Sequence, residues 1–294
     1  MKVLPNPLGL LAFCGLILTG CGGLRARYHA RQGNRLYMQG NYEAALDEYG
    51  VAERLSSTLP VVALNQGLAC RHLMLPGSRT PAAERAVQCA VDAFGRFKRL
   101  RPDDPRGDQL LVQTLFDADR FETLAALYQS QLSIQPNNLS AINGLVEVYS
   151  RWDKWLQALD FMLRRAALEP NNPEAQYSVG VFIWNRLFQK GGNGEKAVFD
   201  PRADPRAPPP PFAVDDVVGE QRVQLADRAI AHLEKALALR PQYEEAMAYL
   251  NLLYRQKSYA FFDQPDKFQA SVAAANLWKD RALQAASSRR PVIQ

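Results

Sequence analysis

The sequence predicts an all-α fold, a solenoid of about six helix-turn-helix repeats. Two regularities carry that expectation. Pro102, Pro136 and Pro170 stand 34 residues apart, and Pro241 follows 71 residues later, one more period plus an insertion of 37. Proline lacks an amide proton and disfavours helix in the residue before it, so these positions mark helix ends. The second regularity is the order of small and aromatic residues in "GNRLYMQGNYEAALDEYGVA", with Gly33, Leu36, Gly40, Tyr42, Ala45, Tyr49 and Ala52 spaced 3, 4, 2, 3, 4 and 3. A period of 20–50 residues is the signature of repeat architectures.

That spacing resembles the tetratricopeptide repeat, a 34-residue helical hairpin. The resemblance implies a right-handed α-solenoid. It places small residues where helix A meets helix B, here Gly33 and Ala45, and an aromatic wedge at Tyr49. Gly40 and Asn41 turn the chain between the two helices.

Counting from the prolines sets the repeats. The first covers residues 26–59. The second, 60–104, carries about 11 extra residues between its helices, near 71–81, with Ala90 and Phe94 on its second helix. The third, 105–138, has Phe121, Leu124 and Tyr128, with Asp119 replacing the turn glycine. The fourth, 139–172, has Tyr149, Trp155, Ala158 and Met162. The fifth opens at Pro173 with Gly180 and Ile183, and its second helix carries Ala229, Leu233 and Ala236. The sixth opens near Glu244 and ends in a capping helix at about 265–286, followed by a tail, 287–294. Terminal repeats are expected to be atypical because they close the stack.

The insertion in the fifth repeat, about 189–220, is rich in glycine, proline and charge. Pro208–Pro211 favour polyproline II, which suits either an exposed loop or an arm for an aromatic-lined groove.

The N-terminus has its own logic. One basic residue, Lys2, precedes the apolar run Leu8–Leu18. That run is shorter than the ~20 residues a bilayer span needs, and it has the length of a signal-peptide core. Pro5 and Pro7 argue against a helix from the terminus. The run ends in "LTGC", which resembles the bacterial lipoprotein signal. The resemblance implies removal of residues 1–20, acylation of Cys21 with palmitate-type chains, and a short tether at 21–25. Gly22, where an inner-membrane protein of that class has aspartate, implies the periplasmic face of the outer membrane.

Composition excludes several classes. The net charge is +5 and the charges are interspersed, so no nucleic-acid face is expected. Of four cysteines, the lipoprotein resemblance implies that Cys14 leaves with the signal and that Cys21 bears lipid. Cys70 and Cys89 remain, either as a disulfide or as two buried thiols. His29, His72 and His232 show no metal-ligand spacing; Cys70 and His72 lie at i and i+2 and face apart. No nucleophile elbow, zinc helix or phosphate loop occurs, and "GGNGEK" lacks the spacing and the preceding strand of one. No catalytic group, metal or cofactor is expected.

The working surface is then the groove lined by the A helices. Carrying the family's groove positions over gives Asn34 and Tyr37 in the first repeat, Arg71 in the second, and Gln113 and Phe116 in the third. The fourth supplies Asn143, Glu147 and Arg151, the fifth Tyr177, Val181 and Trp184, and the sixth Arg255. Aromatic and arginine anchors of this kind suit an extended peptide or a helix. The sequence therefore reads as a lipid-anchored protein-binding scaffold of the cell envelope. An accessory to a cell-wall or polysaccharide enzyme and a small-ligand groove are the alternatives.

Overall fold

A computed structural model describes residues 7–188 and 219–289 apart from Phe262, and residues 7–21 and 289 by their backbone alone. The expectations for the proline-rich insertion and for the last five residues fall outside the described residues.

The described residues form twelve helices and no strand: α1 Pro7–Met38, α2 Tyr42–Leu55, α3 Pro60–His72, α4 Pro81–Leu100, α5 Arg106–Asp117, α6 Phe121–Ile134, α7 Leu139–Arg151, α8 Trp155–Leu168, α9 Pro173–Phe188, α10 Gly219–Leu239, α11 Glu244–Tyr259 and α12 Pro265–Arg289. They divide into two compact units, residues 1–127 and 128–294, with the boundary inside α6. Each unit is a stack of helical hairpins. In the first, α1 packs on α2, α2 on α3, α3 on α4 and α4 on α5. In the second the same succession runs from α7 to α12, and α9 also meets α11.

Two kinds of turn generate this succession. Between repeats from the second onward, each helix ends two residues before a proline, and a backbone bond closes a four-residue turn around it; α2 instead ends at Leu55, five residues before Pro60. The bonds run from Asp104 to Arg101, Asn138 to Gln135, Asn172 to Glu169 and Tyr243 to Arg240, at 3.0–3.1 Å. Proline fits the second position of such a turn because its φ is already set. Asn138 then caps α7, its Oδ1 accepting from Ala141 N at 3.1 Å. Within repeats, the helix A to helix B turn needs one left-handed residue. Gly40, Asp119 and Asp153 fill it, with φ of 76°, 54° and 55°. The next amide then reaches back five residues, from Asn41 to Leu36, Arg120 to Leu115 and Lys154 to Tyr149. This closes the helix end as a Schellman motif does.

Close glycine contacts set the spacing of helices within a hairpin. A Cβ on Gly33 would lie 2.6 Å from the Tyr49 ring, one on Gly67 2.5 Å from the Phe94 ring, and one on Gly180 2.5 Å from Leu233. The first unit's core is built on Ala45, Tyr49, Ala52 and Val62, then on Cys70, Ala90 and Phe94. The second unit's core is larger. It runs from Leu159 through Ile183, Leu233 and Leu250 to Ala285, and Trp278 of α12 packs onto it.

The helices differ from the sequence reading at three places. The backbone of residues 21–25 is helical, continuous with the first repeat's helix, where a tether was expected. Arg71 and His72 complete α3 and Pro81 opens α4, so the second repeat's insertion shrinks to residues 73–80. α12 runs on to Arg289, because nothing in "LQAASSR" breaks a helix. The structure also joins Cys70 to Cys89, with Cα atoms 5.9 Å apart, tying α3 to α4 across that insertion. Among the described residues, no helix is long and apolar enough to cross a membrane.

Candidate functional site

In the first unit the expected groove residues are engaged with one another's helices. Asn34 Oδ1 accepts from Tyr49 Oη at 2.9 Å and from Asn65 Nδ2 at 2.8 Å, which joins α1 to α2 and α3. Burial pushes the Tyr49 hydroxyl up to about 12. The Tyr37 hydroxyl meets His72 Nε2 at 2.9 Å, and the His72 ring stacks on Tyr42 at 4.3 Å. Arg71 donates to Gln113 Oε1 at 3.0 Å and to Asp117 Oδ2 at 2.7 Å, joining α3 to α5. Phe116 meets Phe121 edge-on at 6.3 Å. These residues lace adjacent A helices together. Their partners stand 31, 35 and 42–46 residues away in sequence, too far for a single repeat's pattern to show.

The second unit is different. On α7, Asn143, Glu147 and Arg151 are exposed, and no described residue bonds their side chains. They recur at spacings of four on one helix face. On α9, Tyr177, Val181 and Trp184 follow at 4 and 3 and are half-buried. Tyr177 packs on Tyr243 at 4.8 Å and on Tyr249 at 5.7 Å. Trp184 packs on Tyr249 at 5.1 Å and on Phe188 at 4.8 Å. An aromatic strip thus runs along α9 and onto α11. Burial, reinforced by Tyr249 and the carboxylates of Glu245 and Glu174, pushes the Tyr177 hydroxyl up to about 12. The Trp184 indole N–H is buried and has no acceptor among the described residues. Arg255 leaves the strip. It is held by Asn251 at 3.0 Å and by Asn276 of α12 at 3.0 Å.

The strip is braced by residues that sequence reasoning missed. Glu174 accepts from Arg240 Nη1 at 2.7 Å and from the Tyr243 hydroxyl, which fixes Tyr243 beside Tyr177. The Tyr243 and Arg240 bonds hold the Glu174 carboxyl below its ordinary range. Gln176, fully buried, donates to the Ala166 carbonyl at 2.9 Å and meets His232 Nδ1 at 2.8 Å, joining α8, α9 and α10. Arg222, 1% exposed, donates to the Leu187 carbonyl at 3.2 Å and to Gln256 Oε1 at 2.6 Å. It thereby occupies the C-terminal end of α9, where unsatisfied carbonyls attract a cation. Burial brings its guanidinium down to about 10. Arg240 and Tyr243 flank Pro241 of the 34-residue period, and Tyr249 is an aromatic in the sixth repeat's helix A; Glu174, Gln176 and Arg222 left no such signal.

Among the described residues, no cluster of three metal-ligating side chains exists. The fold and these surfaces define an all-α helical-repeat protein whose exposed chemistry is aromatic, amide and charged.

No protein-family model matches the chain, and no curated protein does. Solved structures resemble it distantly. MamA of strain RS-1, a double mutant, shares 15% identity over 75% of this chain and 97% of its own, with a TM-score of 0.34. PilF of Pseudomonas aeruginosa shares 11% over 91% and 99%, with a TM-score of 0.34. YrrB, described as a TPR protein with an unusual peptide-binding site, shares 14% over 88% and 90%, with a TM-score of 0.24. At such identities and scores, no function passes from them to this chain.

Proposed function

We propose that this chain is a non-enzymatic scaffold of a bacterial cell envelope, anchored through an acylated Cys21 at the periplasmic face of the outer membrane. Its second unit binds a segment of a partner protein, peptide or helix. The observation that carries the reading is the aromatic strip Tyr177–Trp184–Tyr249, with the unbonded Asn143, Glu147 and Arg151 on the preceding hairpin. Aromatic faces supply contact area at low entropic cost, and free amide, acid and guanidinium groups supply the polar contacts that set register. The anchor rests on "LTGC" closing the apolar run at Cys21.

Crosslinking in intact cells tests the binding surface. Full-length chain is compared with the Arg151→Ala/Trp184→Ala variant by mass spectrometry. Discrete envelope proteins captured by the wild type and lost from the variant are expected. Equal capture by both removes the surface assignment. Fractionation tests the anchor: Cys21→Ala protein is expected in the soluble fraction, and retention on membranes at high salt sinks that part of the reading.

A further inference from the structure

We infer that the outward face of α1 lies on an anionic phospholipid surface and orients the first unit against it. The buried side of α1 after Cys21 is Ala26, Ala30 and Gly33. At 100° per residue, Leu24, Tyr28, Arg31 and Arg35 fall on the opposite side, spaced 4, 3 and 4, with Arg25 and Arg27 on its flanks. Leu24 is 69% and Tyr28 59% exposed; the Tyr28 ring meets His29 edge-on at 5.5 Å, and His29 holds Glu48 of α2 at 2.7 Å, to one side of the arginines. All four arginines are exposed, and no described residue pairs with any of them. The first acidic residue in the chain is Glu43, so residues 1–42 carry positive charge only.

This composition fits an interface between water and anionic headgroups. Leucine and tyrosine enter the headgroup layer, and long arginine side chains reach phosphates while their stems stay apolar. Leu24 follows Cys21 by three residues on one continuous helix, about 5 Å along its axis, and Arg35 lies about 21 Å along. The proposal rests on Cys21 as the lipid-bearing residue, which brings this face to a bilayer. Acyl chains alone leave a protein free to swivel. A basic face adds the second, electrostatic signal and fixes a side.

The test is vesicle flotation of the full chain carrying Cys21→Ala, so that no acyl chain contributes. Phosphatidylcholine vesicles report any binding through the apolar run. Vesicles with about 30% phosphatidylglycerol report the arginine face on top of it. Binding to the anionic vesicles is expected to exceed that to the neutral ones and to fall as salt rises from about 0.05 to about 0.5 M. Arg25→Gln/Arg27→Gln/Arg31→Gln/Arg35→Gln is expected to lower the anionic binding roughly a hundredfold or more, at about fivefold per arginine. Arg31→Glu alone, a single exposed change, is expected to lower it at least about fivefold. Equal binding to both vesicle types overturns the proposal. So does unchanged anionic binding by either arginine variant, or a four-arginine variant that loses a crosslinked envelope protein while keeping its vesicle binding. The mass of Cys21 in wild-type protein reports acylation separately. An unmodified cysteine there removes the anchor and leaves the vesicle result standing.

Discussion

Gly180 of α9 and Leu233 of α10 touch across the longest insertion in the chain. A Cβ on the glycine would lie 2.5 Å from Leu233 Cγ, and Leu233 is fully buried. Gly180→Ala must therefore displace a core leucine or part the two helices. We expect a loss of about 1–3 kcal/mol, the usual cost of overpacking. Thermal unfolding checks it. Gly23→Ala, also helical but with nothing within 4 Å, should leave the midpoint unchanged or raise it.

Asp153 holds a φ of 55° at the turn between α7 and α8. Glycine takes that conformation freely, whereas a β-branched residue resists it. Asp153→Gly is expected to be neutral or to stabilise by up to about 1 kcal/mol, and Asp153→Val to cost about 1–2 kcal/mol. Urea denaturation of the pair of variants gives both signs in one experiment.

His232 should make the second unit acid-sensitive. Burial, then the charges of Arg228 and Lys235, hold its imidazole below the ordinary 6.5. Between that depressed value and 6.5 the unfolded chain binds more protons than the folded one. Stability from the neutral ring is thus complete above pH 6.5 and falls as pH drops below it, by at most about 1.4 kcal/mol per pH unit. Urea midpoints from pH 7.5 down to 5.5 should show the decline, and His232→Gln should flatten it. The same slope in the variant would assign the decline to other groups. Glu174, held below its ordinary range, adds a loss only at lower pH, as its carboxyl protonates.

The Cys70–Cys89 link closes a loop of 19 residues. Its removal frees the unfolded chain, and Cys70→Ser/Cys89→Ser is expected to cost about 3 kcal/mol by loop-closure entropy. Non-reducing mass analysis and a melt with and without reductant check it. Reductant should shift the wild-type midpoint and leave the double variant's unchanged.

The hairpins were legible because their determinants are local. A proline two residues past a helix, a glycine under an aromatic and a left-handed turn residue each act within one hairpin, and the 34-residue period repeats them. Asp119 was readable as a turn residue for that reason, and Asp153 lies one period on. What escaped depends on residues far apart. The pairing of Arg71 with Asp117 spans 46 positions, and that of Gln176 with His232 spans 56. No repeat pattern announces such pairs. Arg71 and Gln113, both expected as groove residues, are also bonded to each other, which the pattern does not show. The division at residue 127 was invisible as well, because the period passes through α6 without interruption. Arg222 was hidden by its polar setting, "GEQRVQ": an arginine at such a helix start reads as surface, yet it closes the end of α9.

Both insertions, residues 73–80 and 189–218, replace a turn inside a hairpin and leave the proline turns between hairpins untouched. The paired helices recognise each other through Gly67 on Phe94 and Gly180 on Leu233, whatever the length of the connection. The first of these connections is further bridged by sulfur on either side of it. A protease nicking the backbone at Arg79 would therefore release no fragment. The severed halves would travel as one species until a reductant parted them, and only then could the break be seen.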